Sequence, residues 1–190
     1  MPVKIIVGIS GASGSIYGVR LLERLRNQKD IETHLILTSS GQKTLYLETG
    51  KLAAEVQELA DFSYPLGNIG SRIASGSYPV DAMVIAPCSI HTMSAIAYGI
   101  SSNLLIRAAD VTLKEKRKLI LMIRETPLHT GHLKTMTALS EMGAIIAPPI
   151  PGFYHRPATV MDIVDHSVDR VLDLIGIPDP RIRRWEGENQ

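Results

Sequence analysis

Cysteine is almost absent from this chain of 190 residues. The single one, Cys88, cannot form an internal disulfide, and its Pro-Cys-Ser setting lacks the paired Cys/His spacing of a zinc site. A reducing, cytoplasmic setting is therefore expected, with no metal. An excess of one charge is missing as well, since 20 Lys and Arg stand against 19 Asp and Glu, for a net charge of +1. So balanced a molecule has no general field for nucleic acid or a membrane surface, and any anion site must be local. No apolar run reaches membrane-spanning length, and the first residues lead directly into KIIVGIS without the segments of a secretory signal. Internal repeats and low-complexity segments are lacking too. So are the dinucleotide pattern GxGxxG and a phosphate loop with its lysine.

What the chain does have is apolar substance in short pieces. Hydrophobic residues make up 45% of it, enough for one α/β domain of this length. The runs KIIVGIS, THLILTS, AMVIAP, KLILMI and AIIAP read as buried strands. Helical patterns lie between them, over residues 16–25 and 128–142, and another covers 160–175 after the proline-rich PPIPGFYHRP. This alternation predicts a single-domain, Rossmann-like (flavodoxin-like) parallel sheet with helices on both faces. The expected domain spans residues 1–177, with 178–190 as a C-terminal extension. Within residues 41–80, LETGKLAAEVQELA reads as helix and the stretch SYPLGNIGSRIASGSYP as a long loop over the site.

Ligands of such sheets collect at the carboxyl ends of the strands. SGASG, residues 10–14, follows the first strand and opens the first helix, where N–H groups can hold a mononucleotide phosphate or a ring edge. Thr38 to Ser40 bring three hydroxyls to the next strand end, and PCSIHT, residues 87–92, brings more. These can bond a ligand, cap a helix, or do both. RETPLH places Arg124 and Glu125 after KLILMI: the arginine is suited to clamping phosphate, the glutamate to hydrogen bonding or proton transfer, and a structural ion pair is the ordinary alternative. His129 and His132 read as capping or surface residues. If NLLIRAADVTLKEKRK is helical throughout, Arg107, Asp110, Lys114 and Arg117 share one face, a pattern usual for a solvated charge stripe.

Taken in order, SGASG, PCSIHT, NLLIRAADVTLKEKRK, RETPLH, GFYHRP and VDRVLD closely resemble the flavin prenyltransferase family, the UbiX-like proteins, from about residue 3 to Trp185. The resemblance implies an enzyme that joins the dimethylallyl group of dimethylallyl phosphate to N5 and C6 of reduced flavin mononucleotide (FMN), without metal. The product, prenylated FMN, would serve a UbiD-like decarboxylase. The resemblance further implies flavin contacts at Gly11, Ala12, Ser13, Thr38, Ser89, Ile90, His91, Thr92 and Arg124. Tyr154 and Arg170 match prenyl-phosphate contacts, and Arg107 and Lys114 match positions that add charge there, Lys114 from a neighbouring subunit. Ser13, Glu48 and Glu125 match polar residues near the reacting flavin. A homo-oligomer, commonly a dodecamer, is implied as well. The chain departs from some relatives in having NIGSRIASGS where they carry a tryptophan suited to supporting an allyl cation.

Two rivals share the expected fold. FMN-dependent decarboxylases of the phosphopantothenoylcysteine or cysteine-peptide type are expected to carry PASANT-like and PxMNxxMW-like segments, and this sequence has neither. A flavodoxin-like electron carrier has no use for a second cluster of Lys, Arg and Tyr.

Overall fold

Alternation along the strands decides the architecture. In β1 (Val3–Ile9), Ile5, Val7 and Ile9 enter one apolar cluster while Ile6 enters another. The pattern repeats in β4 (Ala82–Cys88), with Ala82, Val84 and Ala86 against Met83 and Ile85, and in β5 (Lys118–Ile123), with Ile120 and Met122 against Leu119, Leu121 and Ile123. Side chains of a strand point to opposite faces in turn, so a sheet apolar on both faces has to be covered on both.

The computed structural model describes residues 2–180. Helices α1 (Ser15–Arg26) and α7 (Val160–Ile175) cover one face through Val19, Leu22, Leu25, Val164, Val168 and Leu172. Helices α4 (Ile90–Ala97), α5 (Leu104–Lys114) and α6 (Thr130–Glu141) cover the other through Met93, Leu105, Ala108 and Leu139. The remaining strands are β2 (Ile31–Leu37), β3 (Phe62–Tyr64) and β6 (Ile145–Ile146). All pairings are parallel, in the order β3-β2-β1-β4-β5-β6. The chain winds outward one way from β1 and the other way from β4. A crevice opens where those directions part, beyond the carboxyl ends of β1 and β4.

The expected Rossmann-like sheet is therefore present, with α7 at its expected bounds. Residues 41–80 differ from expectation. The expected single helix is two, α2 (Ser39–Thr49) and α3 (Ala53–Gln57), parted at Gly50. The expected long loop contains the edge strand β3 at its start and a 3-10 turn at Arg72–Ala74. Three residues are too few to register as a period, which is why this strand is silent in the sequence. The charged face on α5 is also shorter than its pattern. The helix ends at Lys114, the chain reverses through Lys116 at a φ of 57°, and Arg117 leaves the stripe to donate to the carbonyls of Gly76 (2.8 Å) and Tyr78 (3.0 Å).

One polar network crosses the α1–α7 seam. Arg24, 2% exposed, lies 2.7 Å from Asp169 and 2.9 Å from Asp179, while Arg20 holds Asp165 at 2.5 Å. The Asp179 side chain is fully buried, so the first residues of the expected extension pack with the domain, and the rest of it lies outside the described residues. Burial pushes the Asp169 carboxyl up, and Arg24 draws it part of the way back. Removing the cation takes the Arg24 ion pair from two buried carboxylates, Asp169 and Asp179. Arg24→Ala is expected to lose about 3–5 kcal/mol of stability in equilibrium urea unfolding, whereas a loss below about 1 kcal/mol would rank the network with exposed ion pairs.

Candidate functional site

Three strand ends and the helices that follow them build the site. After β1 the chain passes through Gly11, Ala12 and Ser13 to Gly14, whose φ of 97° is left-handed and whose missing side chain leaves room for the Tyr17 ring. A side chain at Gly11 would collide with Ser40, so the first loop and the start of α2 can approach only with glycine there. After β2, Thr38 caps α2 by accepting from the Gly41 N–H at 2.9 Å. After β4, Ser89 caps α4 by accepting from the Thr92 N–H at 3.2 Å. Buried Ser10 ties two of these loops together, accepting from the Ser89 N–H and donating to the Pro87 carbonyl, each at 2.8 Å.

The N-terminus of α1, where a ligand phosphate or ring edge was expected, is engaged by the protein itself. The Glu48 carboxylate, from the last turn of α2, accepts from the Gly14 N–H at 3.0 Å, the Ser15 N–H at 2.9 Å and the Ser15 hydroxyl at 2.7 Å. Burial alone would raise this carboxyl, but hydrogen bonds from the Ser13 and Ser15 side chains and from the two N–H groups outweigh it and hold it below the usual carboxylate range. A carboxylate at the positive end of a helix is a favourable internal cap. Two other helix starts, those of α2 and α4, carry no acid in the first turn.

Those starts face one cleft. A cavity of about 340 Å³ is lined by Gly11, Thr38, Ser39, Ser40, Leu66, Ser89, His91, Thr92 and Asn103. Its polar lining consists of hydroxyls, an amide and an imidazole, together with the N–H groups that begin α2 and α4, and it includes no carboxylate. Helix starts of this kind take a phosphate with little further help. The set fits a mononucleotide phosphate with an apolar wall for a ring. Ile90 and His91, placed by the sequence before the helix, fall in the first turn of α4. Thr38 and Ser89 thus cap their helices and line the cleft as well.

Arg124 and Glu125 leave β5 beside β4, the Arg124 N–H donating to the Cys88 carbonyl at 3.2 Å. Both side chains are exposed, and among the described residues neither enters a salt bridge, so the ordinary ion-pair reading fails. Glu125 accepts from the Thr126 N–H at 3.0 Å. His129 does cap α6, its Nδ1 accepting from the Gly131 N–H at 3.0 Å. Tyr154 lies on the irregular stretch before α7, and Arg170 on α7 itself. Arg107 and Lys114 lie on α5, across the sheet from α7 and paired with Asp110 and Glu115. One chain therefore does not bring them to Tyr154 and Arg170.

Four residues of this region carried no sequence signal that singled them out. Asn103 looks like a simple helix cap, and it is one, accepting from the Ile106 N–H at 3.1 Å. Leu66 enters the cleft from an irregular loop. Tyr17 sits between α1 and α7, its hydroxyl raised by burial and lowered by Ser167 and the charge of Arg124. His166 lies one turn before Arg170.

A crevice at the topological switch point, two helix starts without acid and a glycine-narrowed loop define a flavin-binding α/β protein, and a family model described as Flavoprotein matches residues 1–172. The chain belongs to the flavin prenyltransferases within that family. It is 53% identical over 186 residues to flavin prenyltransferase UbiX of Salmonella typhimurium, covering 97% of this chain and 98% of the relative. Among solved structures, a dodecameric FMN-dependent UbiX-like decarboxylase from Escherichia coli O157:H7 superposes with a TM-score of 0.95 at 48% identity, covering 97% of this chain and all of that one. AnUbiX (PadA1) in complex with FMN and dimethylallyl pyrophosphate gives 0.97 at 37%, covering 99% and 100%. The cysteine decarboxylase TvaF gives 0.62 at 18%, with 87% and 98% covered, and shares only the fold.

The Glu48 cap has a pH signature. A carboxyl held low in the folded state stabilises above its unfolded pKa, near the ordinary 4.5, and loses that contribution as pH falls through its folded value. Glu48→Gln should therefore melt below the wild type at pH 7, with the gap shrinking as pH falls below about 4.5. A gap independent of pH in thermal unfolding would show that charge is not what Glu48 contributes.

Proposed function

We propose that this chain, through the domain of residues 1–177, is a cytoplasmic prenyltransferase that joins the dimethylallyl group of dimethylallyl phosphate to reduced FMN, giving prenylated FMN for a UbiD-like decarboxylase. The observation that carries the reading is the division of anion-binding groups. An acid-free cleft for one phosphate lies at the starts of α2 and α4, and a second set of cationic and phenolic groups, Tyr154 and Arg170, lies outside it. Reduced FMN supplies N5 and C6 as the atoms that bond to the prenyl carbons. Gly11, Ala12, Thr38, Ser89, Ile90, His91 and Thr92 hold its phosphate and polar edges, and Arg124 adds charge.

Cleaving the allylic C–O bond sends the bonding pair to the departing phosphate. The Tyr154 hydroxyl and the Arg170 guanidinium stabilise that growing charge, with Arg107 and Lys114 completing the set from a neighbouring subunit. The position of α5 across the sheet from α7 supports this division, because two cations that one chain keeps apart can meet the phosphate across an interface. We infer a homo-oligomer on that ground, and a dodecamer from the likeness to the dodecameric relative. Ser13, hydrogen-bonded to Glu48, faces the reacting edge, and exposed Glu125 serves as proton acceptor.

The test is direct. Purified protein incubated anaerobically with reduced FMN and dimethylallyl phosphate, or in parallel the pyrophosphate, is expected to yield a flavin heavier by one five-carbon unit. No adduct with either donor overturns the reading. Glu125→Gln keeps size and hydrogen bonding but cannot take a proton, so it should retain FMN while forming adduct about 10²-fold more slowly. A wild-type rate would reduce Glu125 to a structural role. Subunit mixing tests the composite site: inactive Lys114→Ala and inactive Tyr154→Ala chains should partly restore each other when exchanged. No recovery despite demonstrated exchange would confine each site to one chain.

A further inference from the structure

Tyr154 is 53% exposed and stands in a stretch without regular structure, among Pro148, Pro149, Pro151 and Pro157. Such a side chain would ordinarily sample several rotamers, and a group meant to meet a departing phosphate loses much of its value when displaced by an ångström. Its neighbours fix it. The Tyr154 hydroxyl lies 2.7 Å from Nε2 of His166, and the two rings meet edge to face with centroids 5.4 Å apart. The next residue, His155, stacks flat on the same imidazole at 4.3 Å and 14°. Both ring nitrogens of His155 are buried and have no hydrogen-bond partner among the described residues, so stacking is what holds that ring. Two successive loop residues thus grip one α7 side chain, one by its edge and one by its face.

His166 is itself well anchored. It follows Asp165, which Arg20 holds at 2.5 and 3.0 Å, and precedes Asp169, which Arg24 holds from within the buried network. It stands four residues before Arg170, on the same side of α7, and both line a small cavity with Met122, Pro148 and Ile150. Burial and then His155 lower its pKa and outweigh the opposing pull of Asp169, so the neutral ring is favoured at neutral pH. A neutral imidazole can donate or accept toward the phenol according to its tautomer.

We propose that His166 is a positioning residue, which transfers the rigidity of α7 to the Tyr154 hydroxyl and so sets the recognition of the allylic phosphate. The inference rests on the prenyltransferase reading, in which Tyr154 meets that phosphate. Its test measures adduct formation with reduced FMN while dimethylallyl phosphate is varied. His166→Phe keeps an aromatic face for His155 but offers no nitrogen, and is expected to raise KM for dimethylallyl phosphate about tenfold, with FMN affinity unchanged. His166→Asn, too short to reach, should do the same. His166→Gln places an amide near the position of Nε2 and should recover most of the loss. In a Tyr154→Phe background, His166→Phe should add nothing further, because the shared contact is already gone. Wild-type KM in both His166→Phe and His166→Asn, or losses that simply add in the double variant, would overturn the inference. A wild-type protein that forms no adduct would instead overturn the function beneath it.

Discussion

The Glu48 carboxylate lying across the start of α1 is the contact on which the site is organised. Donors from Gly14 and Ser15, joined by the Ser13 side chain, converge on it at the point where the helix is most positive. Charge-assisted bonds are stronger than neutral ones, and each has a geometry that the loop must satisfy. The cap ties the end of α2 to the beginning of α1 and gives Ser13 an acidic neighbour. It also satisfies internally the helix terminus that an α/β protein most often offers to a phosphate. The helix starts beyond β2 and β4 carry no such carboxylate, and beside them in the first loop lies Gly11 with its close approach to Ser40.

A second constraint follows from the sheet. Covering both faces places α7 and α5 on opposite sides, and with them the two groups of cations. On the α7 side, Arg20 and Arg24 lock the helix to α1 through buried or partly buried carboxylates, and Arg170 and His166 inherit that fixed position. On the α5 side, Arg107 and Lys114 pair locally with Asp110 and Glu115 and remain partly open to solvent. The fold thus holds one group of cations on an anchored helix and presents the other group outward. Assembly of several chains is the simplest arrangement that joins them.

Much of this was legible in the residues. The apolar runs marked five of the six strands, because buried parallel strands carry dense Val, Ile and Leu, and the Thr38, Ser89 and His129 caps were readable from residue type before a helix. The family was legible in six motifs taken in order, SGASG, PCSIHT, NLLIRAADVTLKEKRK, RETPLH, GFYHRP and VDRVLD. What escaped had physical reasons. β3 is held by pairing to β2 at an edge, with little apolar pattern of its own. Arg117 leaves its helical face because the chain turns through a positive φ at Lys116, which no periodicity records. The glycine-rich first loop was legible as an anion site, but the anion that engages the α1 start comes from Glu48, about one α/β unit later in the chain. His166 had no motif at all, since its role depends on two rings folded onto it from a loop.

The location of the flavin phosphate tests the account most directly. A crystal structure of the protein with FMN bound should place that phosphate within hydrogen-bond distance of the first turns of α2 and α4, among Thr38, Ser39, Ser40, Ser89 and Thr92, with Glu48 still accepting from Gly14 and Ser15. A phosphate seated on the N–H groups of Gly14 and Ser15, with Glu48 displaced, would contradict it.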